Sequence, residues 1–392
     1  MEKWFKHIVT VVVAVALLLG VAVQPPQAVA KEDDASSLYL VKFKSEPEKA
    51  LKEADIAKEN LKHEFDLKNI ASVSLTKAQK EKLQQSGHVD YVEANTEAHS
   101  VPDQAEQKFS GHLPNLPFGI EHVKANIVHD NGFKGEGVKV AILDSGVDVT
   151  HPDLKVAKAY SAFTTEPDAD PYVDGLGHGT HVAGTVAGLD NDFGVTGVAP
   201  EAEIYSAKVI DANDQTNATL LLRGIEWAIN NDVDVINMSM YINGKNKAIQ
   251  DALDYAYNEK NIVVVAAAGN FGNKAGTGDS VTFPANYPSV ISVAASDENY
   301  KRASFSSTGP TVEITAPGDG VLSTYVGGDF GMMNGTSMAT PHVAGVVALL
   351  REIHPDETAA QLRQRMTRTA MPLGDHPQWF GHGLVQADMA AR

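Results

Sequence analysis

The stretch "VKVAILD", Val138 to Asp144, decides the fold. It is apolar at odd and even positions alike and closes on a carboxylate. A strand with no polar face needs cover on both sides, as in a parallel sheet. Runs of the same kind follow at "EIYSAKVID" (Glu203 to Asp211), "VDVINMSM" (Val233 to Met240), "NIVVVAAAGN" (Asn261 to Asn270) and "SVISVAAS" (Ser289 to Ser296). Between them, "NATLLLRGIEWAINN" (Asn217 to Asn231) and "KAIQDALDYAYNEK" (Lys247 to Lys260) carry helical spacing. The alternation predicts an α/β fold, a three-layer and mostly parallel sheet with helices on both faces.

Upstream the character changes. Residues 31–101 are rich in lysine and glutamate and poor in glycine. "SLYLVKFK" (Ser37 to Lys44), "NIASVSL" (Asn69 to Leu75) and "HVDYVEANTEAH" (His88 to His99) read as strands. "EPEKALKEADIAK" (Glu46 to Lys58) and "TKAQKEKLQQ" (Thr76 to Gln85) read as helices. A small α+β unit of ferredoxin-like type is expected there. Residues 102–116 are polar, and with Pro102, Pro114 and the adjoining Pro117 they read as a linker. Residues 1–30 are set apart again. Lys3 and Lys6 precede the apolar run from Ile8 to Val23, and Ala28-Val29-Ala30 ends it, the pattern of a secretory signal peptide. That run is short for a bilayer span, so a secreted protein without a membrane segment after signal removal is expected.

The 32 lysines and arginines against 50 aspartates and glutamates leave a net charge of −18, which excludes a nucleic-acid partner and favours cations. There is no cysteine. Outside the cell, disulfides are then replaced by a large core or by bound metal.

Open α/β sheets place their sites at strand ends. Asp144 ends the first buried strand, His178 lies in the glycine-rich "GHGTHVAG", and Ser337 opens an apolar helix in "NGTSMATPHVAGVVALLREIHP" (Asn334 to Pro355). Singly each has a plain structural reading: a turn cap, a core histidine, a helix cap. Together they supply the carboxylate, imidazole and hydroxyl that activate a serine nucleophile. A metal pair of His178 and His181 lacks any HExxH or supporting carboxylate pattern. A GxSxG elbow is missing, since Ala339 stands at its second glycine, and no GxGxxG turn follows Asp144.

"AILDSGVDVTHPDL", "GHGTHVAGTVAG", "VVVAAAGN" and "NGTSMATPHVAG", in this order, resemble the four signature segments of the subtilisin-type serine proteases, the subtilases. The likeness runs over residues 117–392. It implies a secreted serine endopeptidase, made as a self-processed precursor and acting on polypeptides, with a monomer expected. Asp144, His178 and Ser337 would be the triad, with roles as worked out for subtilisin. Asn270 would give an oxyanion-hole donor. Ser239, Met240, Tyr241, Ala268, Gly269 and Thr282 would line the substrate cleft. The alternative is a catalytically silent subtilase fold that binds or chaperones.

The resemblance also implies calcium. One tight site would use Asp153, Leu189, Asn191, Phe193 and Val195, an oxygen-only set suited to a hard cation, with Asp190 and Asp192 adding charge. A weaker cation site would use Ala285, Tyr287, Val290 and Glu313. Residues 31–101 resemble the family's inhibitory propeptide, the chain's own intramolecular partner. Three departures stand out. The maturation cut falls anywhere from Val101–Pro102 to about Leu113. Pro114 stands where a calcium-binding glutamine is usual. Met240-Tyr241-Ile242 replaces a hydrophobic residue and two glycines, and Thr282 a pocket glycine. Large aromatic residues are therefore expected to fit poorly just before the scissile bond.

Overall fold

A computed structural model describes residues 35–101, 104–109 and 116–392. The expected signal peptide and most of the expected linker, with Leu113 and Pro114, lie outside the described residues.

In the N-terminal region, β1 (Ser37–Phe43), β2 (Leu61–Glu64), β3 (Ile70–Leu75) and β4 (Val89–Ala94) form an antiparallel sheet in the order β2-β3-β1-β4. Helices Pro47–Glu53 and Lys77–Gln84 complete a βαββαβ unit. The second helix is fixed by a capping box, in which the Thr76 hydroxyl accepts from the Gln79 amide and the Gln79 side chain accepts from the Thr76 amide. The first stops well short of Lys58, because Asp55 takes a left-handed φ of 54°. The run from His88 to His99 is not one strand but two, β4 and β5 (Glu97–Ser100). The Asn95 side chain leaves the ladder between them and accepts from the Thr219 amide and hydroxyl. β6 is Gln104–Phe109.

The apolar runs build a seven-stranded parallel sheet. Its strands are β7 (Lys139–Asp144), β8 (Val156–Ser161), β9 (Glu203–Lys208), β11 (Val235–Met238), β13 (Val263–Ala267), β14 (Val290–Ser296) and β15 (Ile314–Pro317). Their order is β15-β14-β13-β11-β7-β9-β8. Side chains on successive strand residues point to opposite faces, so β7 feeds two cores. Val140 and Ile142 join the cluster under helices His178–Ala187 and Thr336–Ile353, while Ala141 and Leu143 join the cluster under helices Ala218–Asn230 and Lys247–Asn258. Burying each of the larger side chains stabilises the fold by about 1.5–3 kcal/mol. The expected three layers are present.

Short strands frame the C-terminal edge of this sheet: β10 (Thr216–Asn217), β12 (Met240–Ile242), β16 (Val321–Tyr325) and β17 (Asp329–Asn334). β5 lies antiparallel between β10 and β12, and β6 lies antiparallel on β17. The N-terminal chain thus adds one strand to each of two small sheets of the larger domain. Among the described residues no helix is long and apolar enough to cross a membrane.

Candidate active site

Asp144 ends β7 and is buried. Its Oδ1 accepts from His178 Nδ1 at 2.7 Å and from the Ser145 amide at 2.7 Å. The Nδ1 proton is thereby fixed, which leaves Nε2 as the nitrogen able to take up a proton. His178 opens its helix after Gly177, whose φ is 86° and whose Cβ, if present, would lie 2.4 Å from the Tyr325 ring. Only glycine fits that entry.

The sequence reading missed the group that holds this corner. Asp174 is buried, and its Oδ1 accepts from Ser145 Oγ (2.8 Å) and the Gly177 amide (2.8 Å), while Oδ2 accepts from the Thr180 amide (2.8 Å) and hydroxyl (2.7 Å). One carboxylate therefore caps the His178 helix and ties it to the residue after Asp144. An aspartate in a loop, with no periodicity to mark it, gives no local signal of such a role.

Ser337 lies in the first turn of the helix Thr336–Ile353, with Gly335 rather than the serine at the cap position. Its hydroxyl donates to the Ser239 carbonyl at 3.3 Å. Its own carbonyl would normally accept from the amide of Pro341, which has none. Ser239 Oγ donates to it instead, at 2.9 Å. Asn270 is held by Thr336, whose amide (2.9 Å) and hydroxyl (3.0 Å) both donate to its Oδ1. That hydroxyl in turn accepts from the Gly269 amide at 3.1 Å. The amide oxygen is fixed against Thr336, so the Asn270 NH2 is the end turned away from it, on the same helix start as Ser337. Thr336 is a second residue that sequence reasoning passed over.

His181 is not part of this chemistry. Its Nε2 donates to the carbonyls of Val321 and Gly331, both at 3.1 Å, and burial with the nearby His178 pushes its pKa down to about 3.

The cleft-lining residues separate into walls. Met240, Tyr241 and Ile242 pair with Ser100, His99 and Ala98 of β5. Val101, next in the chain, is fully buried. The paired residues end at Met240 and Ser100, one residue short of Ser239 and Val101. Thr282 donates from its amide (2.9 Å) and hydroxyl (3.3 Å) to the Ala268 carbonyl, and it lies against the space where a Gly269 side chain would be. Tyr241 has aromatic neighbours. Its ring packs on His99, with 5.6 Å between centroids, and edge-on to Phe271 at 5.2 Å.

At the expected tight cation site, Asp153 is buried. Its Oδ2 accepts from the Val195 amide at 2.8 Å, while Oδ1 has no partner among the described residues. Burial raises its pKa to about 6. The Asn191 side chain accepts from the Phe193 amide. Asp190 is paired with Lys134 at 2.8 Å. An orphaned carboxylate oxygen beside this loop fits an oxygen-liganded cation. Among the described residues no cluster of three or more His, Cys, Asp or Glu could hold a metal.

The locus of Ala285, Tyr287, Val290 and Glu313 departs from expectation. The Arg363 guanidinium donates to Glu313 Oε1 (2.6 Å) and Oε2 (2.5 Å) and to the carbonyls of Pro288 (2.8 Å) and Val290 (3.3 Å). A bidentate guanidinium already supplies positive charge to the carboxylate that was expected to hold a metal.

Residues 135–383 match the model of the subtilase family, Peptidase_S8. Subtilisin E of Bacillus subtilis is 41% identical over 90% of each chain. A thermostable alkaline protease of Halalkalibacterium halodurans is 42% identical over 84% of this chain and 85% of its own. A subtilisin of Bacillus pumilus is 46% identical over 71% of this chain and 99% of its own.

Proposed function

The chain belongs to the subtilase family and is a serine endopeptidase, and from that premise we propose that it is a secreted precursor whose residues 31–101 are cut off by its own Ser337. The observation that carries this reading is the path of the uncut chain. β5 ends at Ser100 on β12, β6 begins at Gln104 on β17, and Ser337 follows β17 by three residues while its hydroxyl donates to Ser239, the residue before β12. The peptide is laid as the middle strand between β10 and β12, and backbone pairing of this kind is the usual way to present a chain for cleavage. Its register supports Val101–Pro102 as the bond cut, the near end of the range read from the sequence.

In this reading Ser337 Oγ attacks the carbonyl carbon and its proton passes to His178 Nε2. Asp144 keeps the imidazole oriented and offsets its charge. The oxygen that becomes anionic is met by the Ser337 amide, which as a first-turn helix N–H has no intrahelical acceptor, and by the Asn270 NH2. His178 then delivers the proton to the departing nitrogen, and water releases the acyl group by the reverse sequence. After the cut, the N-terminal unit remains as an inhibitor lying in the cleft. The Bacillus pumilus relative, matched over nearly its whole length by 71% of this chain, supports a separable N-terminal portion.

One calcium ion would be held by Asp153 and Asn191 with the carbonyls of Leu189, Phe193 and Val195. At the second locus Arg363 takes the cation's part.

A fluorophosphonate reagent tests the reading. It should add to the peptide carrying Ser337 and abolish peptide hydrolysis in proportion. Full hydrolysis by stoichiometrically modified protein would overturn it, and the silent binding fold would take its place.

A further inference from the structure

The cleft carries a contact at the third residue before the proposed scissile bond that the usual two-glycine backbone could not make. His99 sits opposite Tyr241 in the β5–β12 register, and their rings pack at 5.6 Å with planes 35° apart. Phe271 also packs edge-on against Tyr241. Beside His99 stands Asp214, whose carbonyl accepts from His99 Nδ1 at 3.0 Å. Its carboxylate accepts from the Ser100 amide at 2.9 Å. Asp214 is held for this purpose by a turn in which it adopts a left-handed φ of 59°. The Asp211 carboxylate pins that turn through the amides of Asn213 (2.9 Å) and Gln215 (2.7 Å). The Tyr241 hydroxyl is pushed up by burial and by the Asp214 charge, in keeping with one shared pocket.

We propose that Tyr241 and Asp214 form a clamp that selects the third residue before the scissile bond, favouring a flat side chain that bears an N–H donor, histidine first. The inference rests on the endopeptidase reading above and adds a substrate class to it. Tyr241 supplies a face for stacking, and the Asp214 carbonyl takes the ring N–H. The Asp214 carboxylate does two things. It accepts the amide of the second residue in any polypeptide, and it repels an acidic side chain at the third. An aspartate at a position that accepts a substrate amide is a stronger acceptor than a carbonyl alone.

The experiment uses mature enzyme, titrated with a fluorophosphonate, and four peptide substrates that differ only at the third position: His, Phe, Ala and Glu. Aromatic pairs are worth about 0.5–1.5 kcal/mol, or about 2–12-fold in kcat/KM. The expected order is His above Phe above Ala above Glu, with His over Ala in that range. In Tyr241→Gly the Phe-to-Ala ratio should fall to about one and the His-to-Ala ratio should fall to what the Asp214 carbonyl alone sustains, and Tyr241→Phe should restore both. In Asp214→Ala the penalty on Glu should disappear. These are ratios within one enzyme, so loss of folded protein does not mimic them. Hydrolysis with a flat third-position profile, or a His-to-Ala ratio unchanged in Tyr241→Gly, would overturn the clamp alone. A protein that neither reacts with the fluorophosphonate nor cleaves any substrate would overturn the endopeptidase reading and the clamp together.

Discussion

The two sheets of this chain are buried to different depths. The seven-stranded sheet is covered on both faces by its own helices, and alternate residues of β7 reach separate apolar clusters. The four-stranded sheet keeps one small cluster around Phe43, Leu51, Val73 and Leu83. Its other face gives Leu40 and Ile70, and the turn between β2 and β3 gives Phe65 and Leu67, to a cluster of the larger domain. Polar contacts cross the junction in both directions, Lys42 for instance donating to the Asp251 carboxylate at 2.5 Å. The Glu93 carboxylate accepts from the amides of Lys247 (2.9 Å) and Ala248 (2.6 Å), and Asn95 accepts from Thr219, so N-terminal side chains cap two helices of the larger domain. A unit of this size buries too little surface to be robust alone. It completes itself on its partner, whereas the larger domain does not depend on it for a core. The difference is that between a part able to leave and a part able to stay.

The largest effect expected is on chemistry that belongs to the larger domain alone. Ser337→Ala should lower kcat for peptide hydrolysis by about 10⁶, the magnitude measured on the subtilisin triad. Next comes the junction. Phe65→Ala removes a ring from the shared cluster at a cost of about 3–5 kcal/mol. After cleavage, inhibition by the bound N-terminal unit should weaken by roughly 10²-fold or more. An unchanged inhibition constant would mean that the shared face contributes nothing and that the two sheets are alike. Asp174→Ala should cost the larger domain about 2–4 kcal/mol, since several amides and hydroxyls lose a buried carboxylate. A thermal melt of fluorophosphonate-inhibited enzyme would read this, and kcat should fall with it.

The smallest effect, counted per group and per pH unit, is in acid. His181 and His342 are buried, and desolvation lowers their pKa values to about 3 and about 4. The unfolded chain takes up these protons near pH 6.5, the folded one only far below. Their contribution to stability is therefore complete above about pH 6.5 and is lost as pH falls below it, at about 1.4 kcal/mol per pH unit for each group. Melting temperatures of the inhibited enzyme should decline from about pH 6.5 downward, and a flat profile from pH 7 to 5 would contradict the assignment.

Much of the fold was legible because buried parallel strands are apolar throughout. β7, β9, β11, β13 and β14 all fall inside the runs read from the sequence. β8, "VAKAYS", was missed because it is an edge strand with half-exposed residues. The β16–β17 hairpin was missed because it turns through Val326–Gly328 and carries no continuous apolar run. At the proposed site, Asp144, His178, Asn270 and Ser337 are read from their segments. Asp174, Thr336 and Asp214 are not, since each acts by bonding backbone or side-chain groups that only folding brings near. Arg363 was hidden for the same reason: the Glu313 it pairs with lies on another element, far off in sequence.

The central claim is that Ser337 cuts its own N-terminal unit from the chain. The most direct test is the intact mass of the full precursor, wild type and Ser337→Ala, expressed and secreted side by side. The account predicts that the wild type loses the mass of the segment up to Val101 while Ser337→Ala retains it. Equal trimming of both proteins, or trimming of neither, would contradict it.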